Sequence, residues 1–156
     1  MAIAYVNIGS NLGDRKFLIE EAIRRISRQF GYYCVSGYVE SDPWGYDSDN
    51  RFLNIGIAFR TLLPPEIILK KLQKIEREIS EVSHRDSEGN YADREIDIDI
   101  MAIDEVQIGT IDLQIPHKCL KDRLFFLKPL QELAPDWTYP STGEKISELI
   151  KKCQDC

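Results

Sequence analysis

Two carboxylates set two residues apart in a β-branched run are the part of this chain best suited to chemistry. The segment Arg94-Glu95-Ile96-Asp97-Ile98-Asp99-Ile100-Met101 reads as a strand. Side chains alternate faces along a strand, so Asp97 and Asp99 point one way and Ile96, Ile98 and Ile100 the other. At a rise of about 3.3 Å per residue their Cα atoms stand roughly 6.6 Å apart, close enough for both carboxylates to meet one or two cations. Aspartate is depleted in strands, and neighbouring carboxylates without a cation repel and raise each other's pKa. A divalent metal removes that conflict. A strand with a solvated acidic face fits the same five residues, so the choice between the two rests on the remainder of the chain.

Basic side chains gather around this segment. Arg94 lies three residues ahead of Asp97, His84 and Arg85 precede it, and Pro116-His117-Lys118 with Lys121-Asp122-Arg123 adds one imidazole and three cations. Each alone is a solvated surface charge. Together around an acidic strand they match the needs of a polyphosphate, whose oxygens Mg²⁺ bridges while basic groups neutralise the remaining charge.

The elements that must position these groups follow from periodicity. Residues 3–8 form a strand, and Gly9-Ser10-Asn11-Leu12-Gly13-Asp14 turns into a helix whose Ile19, Ile23, Ile26 and Phe30 recur on one face. A second strand covers residues 32–40, a long loop around Trp44 and Tyr46 covers 41–50, and a third strand covers 52–60. Pro64-Pro65-Glu66 opens a second helix that buries Ile68, Leu72, Ile75 and Ile79. A polar stretch over 81–93 leads into the acidic strand over 95–103, a tight Asp104-Glu105 turn, a short strand from Val106 and mostly helical material after Pro116. The order strand, helix, strand, strand, helix, strand predicts an α+β fold with a ferredoxin-like βαββαβ core: an antiparallel sheet, both helices on one face, and extra strand and helix elements at the C-terminal end. The opposite face is then free for a site, flanked by the loops over 41–50 and 81–93.

Whole-chain properties narrow the class. A length of 156 residues predicts one domain spanning 1–156. Hydrophobic and charged contents of 43% and 29% are those of a soluble globular protein, and no apolar run reaches the roughly 20 residues of a membrane span. The start, Met1-Ala2-Ile3-Ala4-Tyr5-Val6, reads at once as a strand, so a cytoplasmic location is expected. A net charge of −6 argues against a nucleic-acid surface but not against a local nucleotide pocket. Cys153 and Cys156 form a C-x-x-C without a second pair or nearby histidines, and with Cys34 and Cys119 they are read as plain thiols.

Four ordered segments carry a family resemblance. Asn7-Ile8-Gly9-Ser10-Asn11-Leu12-Gly13-Asp14-Arg15, Phe52-Leu53-Asn54, Asp93-Arg94-Glu95-Ile96-Asp97-Ile98-Asp99-Ile100, and Ile115-Pro116-His117 followed by Asp122-Arg123-Leu124-Phe125 resemble the signature segments of the 6-hydroxymethyl-7,8-dihydropterin pyrophosphokinases of folate biosynthesis. The resemblance implies an enzyme that transfers the terminal diphosphate of ATP to the hydroxymethyl group of the reduced pterin and releases AMP, and it implies a monomer with mobile loops. It implies that Asp97 and Asp99 hold two Mg²⁺ ions, that Asn54 recognises the pterin, and that Phe125 and Phe52 sandwich it. Ser41, Asp42, Pro43, Trp44 and Gly45 complete the pterin edge through their backbone, and Gly9-Ser10-Asn11 forms part of the floor. The catalytic set carried over is Arg94, Asp97, Asp99, His117 and Arg123. ATP-binding positions are Gln73, Glu76, Arg85, Tyr91, Arg94, Ile100, His117, Lys118 and Arg123.

Elementary chemistry agrees with those roles. A flat heterocycle with a donor and acceptor edge suits stacking between aromatics and reading by an Asn amide. Asn54 unpaired inside a strand would cost about 1–3 kcal/mol, which favours a ligand over a local partner. A primary alcohol needs alignment more than a strong base, so His117 is cast as a phosphate donor; the competing reading makes it a structural residue after Pro116. The chain departs from the resemblance in the long acidic segment before the Asp97 strand, where Arg85 and Tyr91 stand in for a basic and aromatic set, in Lys118 where a tyrosine is common, and in Asp112 where a basic residue is expected. Two other readings stay open: a Mg²⁺-dependent nucleotidyltransferase or cyclase on the same sheet, which releases pyrophosphate, and a non-catalytic small-molecule-binding module.

Overall fold

The computed structural model describes residues 1–80 and 95–153. Chain order is β1 (Ala2–Ser10), α1 (Arg15–Phe30), β2 (Tyr33–Val35), β3 (Val39–Ser41), β4 (Phe52–Thr61), α2 (Pro65–Ile79), β5 (Asp97–Ile103), β6 (Ile108–Gly109), β7 (Gln114–Ile115), a 3₁₀ turn (Leu120–Asp122), α3 (Leu124–Leu133) and α4 (Ile146–Lys152). The main sheet runs β2-β4-β1-β5, with β3 also pairing β4, and every pairing is antiparallel. With β2 and β3 taken as two pieces of one edge, this is the ferredoxin-like order expected from the element sequence. No described helix is long and apolar enough to cross a membrane.

One face of the sheet is closed by α1 and α2. Ala4, Val6 and Ile8 of β1, Ile55, Ile57 and Phe59 of β4, and Ile98, Ile100 and Ile103 of β5 meet Ile19, Ala22 and Ile26 of α1 and Ile68, Leu72 and Ile75 of α2. Asp14 caps α1, its carboxylate accepting from the Phe17 N–H at 3.2 Å, an arrangement worth about 1 kcal/mol. The anticipated helix faces hold, except that Ile23, Phe30 and Ile79 are only partly buried and Ala22 joins the core.

Three expectations are corrected. The strand expected over 32–40 is broken: Val35 faces Ile57 and Val39 faces Asn54, so three residues oppose two. The extra residue is accommodated at Ser36, whose N–H donates to the Gly56 carbonyl and whose Oγ accepts from the Gly56 N–H at 2.8 Å. This bulge re-aims the following strand. The second face of the sheet is also not free. Tyr5, Met101 and Ala102 pack there against Leu120, Phe126, Leu127, Leu130, Trp137, Ile146 and Leu149 in a second core built by α3 and α4. The short strand expected from Val106 is a two-stranded hairpin, β6 with β7, beginning at Ile108.

Gly56 sets how closely α3 can lie on the sheet. A Cβ added there would stand 2.7 Å from Pro129 Cβ and 3.0 Å from Leu133 Cδ1, both on α3. Gly56→Ala therefore drives α3 off β4. We expect urea unfolding to show a loss of about 1–3 kcal/mol, the usual cost of overpacking a filled core; an unchanged midpoint would show that α3 is free to move.

Candidate active site

The uncovered half of the second sheet face is polar, and strand register dictates its composition. Asn7 lies between Gly56 of β4 and Asp99 of β5; one pleat on, Gly9 lies between Asn54 and Asp97. Residues two apart share a face, so Asn7, Asn54, Asp97 and Asp99 rise from the same side, and Gly9 leaves space among them. A Cβ on Gly9 would meet Asn54 Oδ1 at 2.9 Å. Register slips by one residue in β5 opposite Tyr5 and Val6, which leaves Met101 as the extra residue. This irregularity marks where the acidic half of β5 gives way to the apolar half that α3 covers.

Above these residues the walls are aromatic. Asn7, Trp44, Tyr46, Phe52, Asn54, Asp97, Arg123 and Phe125 line one narrow slot, with about 30 Å³ of free space. Arg123 is 7% exposed. Its guanidinium carbon lies 4.5 Å from the Trp44 ring centre and 4.9 Å from that of Phe126, stacking worth about 0.5–2 kcal/mol. Its Nη1 stands 4.0 Å from Asp99 Oδ2, and its Nε is buried without a partner. Asn54, 1% exposed, donates through Nδ2 to the Val39 carbonyl (3.1 Å) and to Ser41 Oγ (2.9 Å), and its Oδ1 accepts from Asn7 Nδ2 (3.3 Å). The expectation that Asn54 lacks local partners is thus corrected: the unpaired amide atom in this pair is Asn7 Oδ1. Asn11 ties the loop over the slot, its Nδ2 donating to Tyr46 Oη and the Asn50 carbonyl.

Next to the slot, along the outer side of β5, runs a groove of about 310 Å³ lined by Ile98, Asp99, Ile100, Asp112, Leu113, His117 and Lys118 among others. The His117 N–H donates to the Met101 carbonyl at 2.9 Å, and Nδ1 accepts from the Cys119 N–H at 3.0 Å. Nε2 is left to carry the proton of the neutral ring, and it faces Asp99 Oδ1 at 4.0 Å. Burial pushes the His117 pKa down to about 4, helped by Arg123 and Lys118 and opposed by Asp97. A neutral Nε2–H donor is the form that suits a phosphate oxygen and not a proton acceptor.

The structure therefore brings Trp44, Phe52, Asn54, Asp97, Arg123 and Phe125 into one slot and Asp99, Ile100, His117 and Lys118 into the adjoining groove. Ser41 contributes its hydroxyl to Asn54, while Asp42 points outward to an ion pair with Arg51 at 3.2 Å. Pro43 and Gly45 belong to the same loop, Gly45 at φ 86°. Gln73 is exposed on α2, and Glu76 is buried with Oε2 accepting from the Ile98 N–H at 2.5 Å. Arg85, Tyr91 and Arg94 lie outside the described residues. Asn7 and Tyr46 line the slot without having been picked out as site residues. An Asn two positions before Gly9 in a strand of Ile and Val was the available signal for the first.

The sequence of the chain matches a known family. A family model for 7,8-dihydro-6-hydroxymethylpterin-pyrophosphokinase (HPPK) matches residues 5–135. The chain belongs to this family. Similar HPPK relatives named 2-amino-4-hydroxy-6-hydroxymethyldihydropteridine pyrophosphokinase include one from Porphyromonas gingivalis, 38% identical over 142 residues covering 90% of this chain and 95% of the relative. One from Aquifex aeolicus is 34% identical over 149 residues, covering 96% and 91%. In fold, the HPPK chain resembles a crystal structure of Plasmodium falciparum HPPK-DHPS with pteroate, at TM-score 0.76 and 15% identity, covering 97% of this chain and 44% of that one. The present chain thus spans under half of that longer protein.

The His117 environment has a measurable sign. Its folded pKa lies below the ordinary 6.5, so between about pH 4 and 6.5 the unfolded chain binds the extra proton and stability falls as pH is lowered through that window. In metal-free buffer, NMR titration should find the His117 ring neutral down to about pH 4. Its protonation near pH 6.5 would contradict the burial described here.

Proposed function

We propose that the slot and the groove divide the pyrophosphokinase reaction between them. Pyrophosphokinase activity on the hydroxymethyldihydropterin, a step of folate biosynthesis, comes with the family. In our reading the pterin ring enters between Phe125 and Phe52 beside Trp44, with its polar edge toward Asn54 and the Ser41–Gly45 backbone. ATP lies along β5, its base beside Ile100 and its phosphates beside His117, Lys118 and Arg123, and Gln73, Glu76, Arg85, Tyr91 and Arg94 complete its surroundings. The single observation that carries this reading is the strand register that sets Asp97 and Asp99 on one face, Asp97 lining the aromatic slot and Asp99 the groove that holds His117 and Lys118. A cytoplasmic monomer is the setting we propose for it.

The residues present suit Mg²⁺. Asp97 and Asp99 offer oxygen donors from one strand face, and among the described residues no cluster of three or more His, Cys, Asp or Glu side chains makes a protein-only cage. Mg²⁺ commonly binds through one or two carboxylates plus substrate phosphates, so Asp97 and Asp99 would hold two such ions. When bound, they would neutralise charge on the phosphate oxygens. The protein's own part is alignment and electrostatics. Arg123 is held rigid by Trp44 and Phe126, so its cation faces the transferring group without reorganisation. His117 donates through Nε2 as phosphoryl oxygens gain charge. No dedicated base is needed, because an alcohol held in line with the phosphorus loses its proton late, in a loose transition state.

The test is product analysis with ATP, Mg²⁺ and the hydroxymethyldihydropterin. AMP should appear only when the pterin is present, and Asp97→Ala should lower turnover by at least about 100-fold, in the range for losing an electrostatic catalytic group, with an unchanged circular dichroism spectrum. Release of pyrophosphate from ATP would instead support a nucleotidyltransferase or cyclase, and wild-type rates in Asp97→Ala would remove Asp97 from the mechanism.

A further inference from the structure

The amide that retains hydrogen-bonding capacity at the floor of the slot is Asn7. An Asn side chain has two N–H donors and an oxygen with two lone pairs. Both Asn54 N–H groups are engaged, by the Val39 carbonyl and Ser41 Oγ, and one lone pair of its Oδ1 takes the Asn7 N–H. Asn54 can therefore accept one further bond and donate none. Asn7 spends a single N–H on Asn54 and keeps one N–H and its entire Oδ1, which is buried with no partner in a side chain only 3% exposed. Its orientation is not arbitrary: the Val39 carbonyl can only accept, which fixes the Asn54 amide, and Asn54 Oδ1 in turn requires the Asn7 N–H.

An orphaned buried carbonyl costs about 1–3 kcal/mol, and the residue that carries this one lines the slot with Asn54, Asp97 and Phe125. Directly across the ladder on either side stand Gly56 and Asp99, so Asn7 occupies the boundary between the heterocycle's place and the carboxylates. We infer that Asn7 is a substrate-recognition residue, its Oδ1 accepting a hydrogen bond from an N–H or O–H of the bound pterin and its free N–H available to an acceptor on the same edge. Asn7 and Asn54 then read the ligand as a linked pair, Asn54 as acceptor and Asn7 as donor and acceptor. This inference rests on the placement of the pterin in the slot proposed above.

The experiment is equilibrium binding of the hydroxymethyldihydropterin, and separately of a non-hydrolysable ATP analogue with Mg²⁺, to the wild type and to Asn7→Leu, Asn7→Ala and Phe125→Ala. Asn7→Leu keeps the side-chain volume, so both Asn7 variants need not fail together through a cavity, and melting temperatures report on folding. We expect each Asn7 variant to raise the pterin Kd at least tenfold while the ATP-analogue Kd stays within twofold. In an Asn54→Ala background, Asn7→Leu should still weaken pterin binding severalfold; no further loss there would mean that Asn7 acts only by holding Asn54 and would overturn direct recognition. A pterin Kd within twofold of wild type in the Asn7 variants, with Phe125→Ala weakened, overturns this inference alone. An unaffected Phe125→Ala overturns the slot placement and this inference with it.

Discussion

Side chains leave β1, β4 and β5 on alternate sides, and the antiparallel register of these three neighbours therefore decides which residues can meet. Placing Asn7 beside Gly56 and Asp99, and Gly9 beside Asn54 and Asp97, gathers two amides and two carboxylates on one face while their sequence neighbours Val6, Ile8, Ile55, Ile98 and Ile100 build the core on the other. A slip of one residue where Asn7 and Gly9 meet β5 would send the acids into that core, and desolvating them there would cost far more than any single contact contributes. The hydrophobic core thus enforces the arrangement: the more strongly the isoleucines are buried, the more firmly the aspartates are held on the opposite face.

The second face is divided, and the division is as important as the register. Gly56 lets α3 lie close against β4, and α3 with α4 seals Tyr5, Met101 and Ala102 beneath Phe126, Leu127 and Leu130. The residues just before α3 and at its start, Arg123 and Phe125, then overhang the polar remainder of the sheet. Arg123 is consequently packed rather than solvated, stacked on Trp44 and Phe126 with Asp99 within 4.0 Å. The His117 backbone N–H is tied to the Met101 carbonyl, and the Cys119 N–H on Nδ1 leaves the buried ring a neutral donor at Nε2. Two cores on opposite sides of one sheet thereby pin Arg123 and His117.

Much of this was legible in the residues themselves. The helix faces, the element order and the shared orientation of Asp97 and Asp99 are local periodicities, which a single chain displays directly. What escaped are contacts between distant segments. The break at Ser36 depends on a hydroxyl reaching the Gly56 N–H, the loss of half the second face depends on α3 docking over a glycine, and the pairing of Asn54 depends on Val39, Ser41 and Asn7 converging. Glu76 was read only through its family counterpart as a nucleotide-side residue, and its bond from the Ile98 N–H escaped as well. None of these follows from spacing along one strand or helix, because each requires knowing which strand lies next to which.

The buried Glu76 has a consequence for the behaviour of the protein in concentrated solution. Among the described residues β5 is an edge strand of the main sheet, and an unguarded edge is a template onto which another chain can add a strand. By taking the outward Ile98 N–H, Glu76 removes one of the donors such an addition would use and sets a carboxylate in its path. The same helix that fills the core thus blocks one pairing position on the strand that carries Asp97 and Asp99.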